Sequence, residues 1–117
     1  MKYLLLLFLI TICSCKGREE INFEIHNDSL IDYDSIVITG LGKLKFDNIK
    51  SGCKTKGVLD YSRSKTKTDG GYEIKLYSND SIKNHDFGYY SNGIPSSTHM
   101  IITIAKDTIN VKEIYDN

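Results

Sequence analysis

The chain has 117 residues, with 15 basic and 15 acidic side chains and a formal net charge of +0. That balance excludes a nucleic-acid partner held by phosphate contacts, which needs a clear basic excess. The length suits one domain with a single core. Eight tyrosines and many Ile, Val and Thr lean toward β structure, while the absence of tryptophan and the single proline (Pro95) add little.

The chain opens on targeting information. Lys2 precedes an apolar run over residues 3–12, which ends at Cys13-Ser14-Cys15. A charged start, an apolar middle and small residues at the cut form a secretory signal peptide. The run of about ten residues is too short to span a bilayer, which takes roughly 20. Ile12-Cys13-Ser14-Cys15 resembles the lipobox of bacterial lipoproteins: an aliphatic residue, two small ones, then the cysteine. The resemblance covers residues 1–16. It implies removal of residues 1–14, a diacylglycerol on the Cys15 sulfur and a third acyl chain on its new amino group. The implied partner is the lipid bilayer. Lys16 is not the Asp that retains some lipoproteins in the inner membrane, so the implied location is the outer membrane of a bacterial cell envelope. Residues 15–20 then form the lipidated cysteine and a tether reaching at most about 18 Å. Residues 21–117 form the domain.

With Cys13 removed and Cys15 acylated, Cys53 is the only thiol, and the domain folds without disulfides. Cys53 reads as a part-buried small residue beside the Gly52 turn.

The remainder reads as short strands divided by turn chemistry. Residues 21–26 alternate apolar and polar, and Asn27-Asp28-Ser29 turns the chain. Residues 35–39 are β-branched and close at Gly40-Leu41-Gly42. Residues 43–49 alternate again, and Ser51-Gly52 turns. A weaker strand covers 54–62, and a polar loop runs from 63 to 71. Residues 72–77 form a clear strand with Tyr72, Ile74 and Leu76 on one face. Asn79-Asp80 turns into a less regular strand over 82–91. Asn92-Gly93 is a tight turn, since both residues tolerate positive φ. Residues 100–105 and 108–114 form a closing hairpin around Lys106-Asp107. Seven or eight strands at roughly ten-residue spacing predict an antiparallel β-sandwich, Ig-like in the broad sense, with a small β-barrel as the alternative.

Chemistry is sparse. His26, His85 and His99 lack metal-ligand spacing, and no nucleophile, phosphate-loop or zinc-protease motif occurs. Asp28, Asp32 and Asp34 read as solvated turn carboxylates, because the glycine and distal glutamate of a calcium loop are missing. The expectation is no catalytic residue, no metal and no cofactor. Charge is patterned nonetheless: residues 19–34 hold six acids and no bases, and 43–67 hold eight bases against two acids. These read as solvated strand faces and lysine-guarded edges. The sharper alternative is a basic loop meeting anionic headgroups.

Two features point to a partner. Residues 87–95 are the densest aromatic stretch, and Phe87, Tyr89, Tyr90 and Asn92 form a candidate surface for a sugar or peptide. Core packing of the same rings is the competing reading. Asp28-Ser29-Leu30, Asp34-Ser35-Ile36, Asp80-Ser81-Ile82 and Asp107-Thr108-Ile109 resemble the O-glycosylation sequon of envelope proteins in one large group of Gram-negative bacteria. The resemblance implies Ser29, Ser35, Ser81 and Thr108 as acceptors. The alternative is plain turn chemistry, with Asp closing a turn ahead of a strand. The expected function is a non-catalytic binding or structural module that holds an envelope protein or glycan near the membrane. A periplasmic immunity-type inhibitor of a toxin or lytic enzyme is the alternative.

Overall fold

The structure, a computed structural model, describes residues 19–115. The signal segment, Cys15 and the tether up to residue 18 lie outside the described residues. Among the described residues nine strands form: β1 (Glu20–Asn27), β2 (Tyr33–Thr39), β3 (Lys43–Ile49), β4 (Lys54–Asp60), β5 (Gly70–Ser78), β6 (Ser81–Ser91), β7 (Ile94–Pro95), β8 (His99–Ile104) and β9 (Ile109–Ile114). The extra strand is β7, which pairs with Tyr90 and Ser91 across the Asn92-Gly93 turn. Both turn residues take positive φ, 53° and 76°, as a two-residue hairpin loop demands.

The strands make two sheets, ordered β4-β1-β8-β9 and β3-β2-β5-β6-β7, packed as a sandwich. The second sheet curls into a half-barrel. Every pairing is antiparallel except β1 with β8, which run parallel with Phe23 opposite Met100 and Ile25 opposite Ile102.

Alternation builds the core. Ile21, Phe23 and Ile25 of β1 face inward, as do Tyr72, Ile74 and Leu76 of β5 and Met100, Ile102 and Ile104 of β8. Each buried aliphatic contributes about 1.5–3 kcal/mol against leaving it in water. Phe23, Tyr72, Phe87 and Tyr90 form a ring cluster with centroids 5.5–6.2 Å apart, mostly edge to face. Val37 points out of its sheet and is still buried, with Lys45 and Lys75 as its cross-strand neighbours.

The pairings give the sandwich two poles. The near pole holds the described start of the chain, the loop over 61–69 and the Asn92-Gly93 turn. The far pole holds the turns over 28–32, 50–53, 79–80 and 105–108. Aspartates pin these connections. Asp32 accepts the Ser51 N–H at 2.8 Å, Asp34 that of Asn79 at 3.0 Å, and Asp69 that of Asn92 at 2.9 Å. Asp32 and Asp34 are therefore turn carboxylates with backbone partners from distant segments.

Candidate functional site

The aromatic stretch divides by side. The β5–β6 register shifts between Gly70 and Tyr72, and Gly88 sits at φ 66°. That irregularity turns both Phe87 and Tyr90 inward, where they are 8% and 9% exposed. The surface expected from Phe87, Tyr89, Tyr90 and Asn92 is thus corrected: Phe87 and Tyr90 belong to the core. Tyr89 stays half-exposed and Asn92 exposed at the near pole, close to the exposed Ile94. Tyr72 packs against Phe87 and Tyr90, and its buried hydroxyl has no hydrogen-bond partner among the described residues. Burial pushes that phenol well above the usual tyrosine range.

The expected sugar acceptors also separate. The expected acceptor Ser29 is corrected: it is buried and its hydroxyl donates to the Asn27 side chain, as the turn-chemistry alternative has it. The cause is Asn27, a fully buried amide whose nitrogen donates to the Ile31 carbonyl at 2.8 Å and the Ile49 carbonyl at 3.1 Å. Ser35 is half-buried in β2, whereas Ser81 and Thr108 are exposed. All four lie toward the far pole. Cys53 is exposed there too, not part-buried, because its turn projects beyond the sandwich while its carbonyl accepts the Asn27 N–H.

Two of the histidines meet at one carboxylate and the third does not join them. On the outer face of the first sheet His26 contacts the Glu24 carboxylate at 2.9 Å, and His99 reaches it at 4.0 Å. The hydrogen bond from His26 holds the Glu24 carboxyl below its ordinary range. His85 lies on the other sheet. Among the described residues no group of three or more His, Cys, Asp or Glu is placed to hold a metal ion. The basic residues of 43–67 are spread over β3, β4 and both poles. At the near pole the exposed Arg63, Lys65 and Lys67 are offset by Glu19, Asp60 and Asp69.

One concave feature was not visible in the sequence. Across the β5–β6 pair, Ile74 faces His85 and Leu76 faces Lys83. Lys83 and His85 therefore point to the same side as the core residues, yet both are exposed. The first sheet ends at β9 and does not reach over them. The result is an open groove of about 790 Å³ between β6 and the β8–β9 hairpin. Tyr33, Leu76, Ile104 and Ile109 supply its apolar surface, and Lys83 and Lys106 flank it. Asp107 is its one lining carboxylate. Strand β6 has β5 along one edge, but β7 covers the other only at Tyr90 and Ser91. Over residues 81–88 that edge has no paired strand, although β6 also approaches β9, and Lys83, Asn84 and His85 are the β6 residues that line the groove. Alternation implies only that Lys83 and His85 share a face, and carries no sign that the first sheet stops short of them.

No family model matches the chain, and neither the curated proteins nor the solved structures compared with it give a match.

Proposed function

We propose that this chain is a lipid-anchored, non-catalytic binding module of the bacterial cell envelope, and that the groove between β6 and the β8–β9 hairpin is its binding site. The observation that carries the reading is the open edge of β6 beside a concave, partly apolar surface. Exposed strand edges are templates for pairing and are normally blunted or covered. Concave apolar surfaces with a few polar groups are the usual form of a binding site. The anchor rests on the lipobox resemblance, with acylated Cys15 as the attachment and the outer membrane as the location. A tether leaving the near pole would direct the far pole away from the bilayer. Ser81 is the accessible sugar acceptor proposed from the sequon resemblance and Ser35 a less accessible one; Thr108 lines the groove, so a sugar there is an alternative to an occupant of the groove.

The test is comparative capture from the native membrane. Wild type, a groove variant (Lys83→Glu with Lys106→Glu) and a near-pole variant (Tyr89→Ser with Asn92→Ala) serve as baits. A partner retained by the near-pole variant and lost by the groove variant is the expected result. The reverse pattern moves the site to the Tyr89 hairpin and overturns this assignment.

A further inference from the structure

Resting on that groove as the site, we propose that its occupant is an extended polypeptide segment, which adds as a strand to the open edge of β6 and carries a carboxylate toward Lys83 and Lys106. Three observations combine. The first is backbone geometry: over residues 81–88 β6 is paired only with β5, so its far edge offers a row of amide and carbonyl groups at strand spacing. A polypeptide matches that row group for group, which a glycan does not.

The second is the face. A strand laid beside β6 continues the sheet, and its side chains alternate between the two faces. Those on the inner face lie beside Lys83 and His85 and over Leu76, Ile104 and Ile109. The segment therefore presents an acidic residue and an apolar residue on one face, two positions apart. Directly opposed side chains in a sheet sit about 5 Å apart, close enough for an ion pair.

The third is charge. The groove is lined by Lys83, His85 and Lys106 against a single carboxylate, Asp107, and among the described residues neither lysine is in an ion pair. The same reasoning disfavours a second copy of this chain pairing through β6. The inner-face residues of β6 are Ser81, Lys83, His85 and Phe87, and none is acidic. A two-fold pairing of β6 with itself sets basic residues against basic residues.

The experiment uses the full chain purified in detergent and three fluorescent probe peptides. The first is Thr-Val-Thr-Glu-Thr-Val-Thr, the second has Lys in place of its Glu, and the third is the Glu peptide with alternate backbone nitrogens methylated. Anisotropy is expected to show the Glu peptide binding at least ~10-fold tighter than the Lys peptide, since 1.4 kcal/mol corresponds to that factor. The methylated peptide is expected not to bind. Lys83→Glu is expected to invert the preference, and Lys106→Glu on the opposite wall repeats the test independently. Absence of binding by all three, indifference to both charge reversals, or displacement by glycan fragments instead of peptide overturns the proposal. These outcomes leave the groove as the site if the native partner is still lost by the groove variant. If the native partner is kept by that variant, the assignment of the groove itself fails.

Discussion

At the scale of single residues, neighbours in sequence have opposite roles. Tyr90 is packed against Tyr72, whereas Tyr89 faces solvent. Tyr90→Ser is expected to cost about 3 kcal/mol, in the range of other aromatic truncations in cores. Tyr89→Ser is expected to stay within about 0.5 kcal/mol of wild type. Denaturant unfolding of both variants checks this, and equal losses would contradict the burial difference. Acid sensitivity also belongs to this scale. Hydrogen bonds from Ser62 hold the Asp60 carboxyl below its ordinary range, and those from Asn92 and Tyr89 do the same for Asp69. Because the folded values lie below the unfolded ones, the stabilisation is complete above about pH 4 and is lost as pH falls through the folded values. Asp69→Asn is expected to flatten the acid limb of a stability-against-pH curve, while an unchanged limb would assign it to other groups. Alternation and turn chemistry made most inward residues legible, and β1, β5 and the closing hairpin follow them directly. Phe87 and Tyr90 were not legible, because a register shift beside Gly88 breaks the period of two that the reading relies on.

At the scale of elements, the far pole is tied together by a side chain that looks like an ordinary turn residue. Asn27 ends β1, and its amide bonds the carbonyl of Ile31 in the following turn and that of Ile49 at the end of β3. Its oxygen accepts the Ser29 N–H at 3.2 Å, and its backbone N–H reaches the Cys53 carbonyl at 2.9 Å. Asn27→Ala leaves several buried polar groups unmatched, each costing about 1–3 kcal/mol. The expected loss is about 3 kcal/mol in denaturant unfolding, and a loss below 1 kcal/mol would show that solvent replaces the amide. Sequence correctly marked a turn here, since Asn, Asp and Ser favour one. It could not mark the hub, because the Ile49 carbonyl that the amide also holds lies 22 residues away in the chain. The groove was hidden for a related reason. It depends on where the first sheet stops relative to the second, and no local pattern encodes that.

At the scale of the whole molecule, the sandwich was legible from ten-residue spacing, whereas the ninth strand, β7, and the parallel β1–β8 pairing were not. That pairing joins residues near opposite ends of the chain. The proposed anchor is tested by feeding cells a fatty-acid analogue: label is expected in wild type and Cys13→Ala and to be lost in Cys15→Ala. The proposed sugars are tested by the intact mass of native protein. Increments that vanish in Ser81→Ala and persist in Ser29→Ala are expected, an increment lost in Thr108→Ala favours a sugar over an occupant of the groove, and an unmodified mass rules out the sugars.

The position of β1 bears on how the protein responds to force. The strand that follows the N-terminal segment is not at a sheet edge: β4 pairs along one side of it and β8 along the other. Strand-to-strand hydrogen bonds lie across the strand axis. A load carried between the N-terminal segment and an object held at the far pole acts along that axis. Both ladders then resist in shear at once, and β1 cannot be unzipped one bond at a time. An edge strand in the same position would peel. Pulling the N-terminal segment against a grip at Thr108 should therefore rupture the first sheet as a unit.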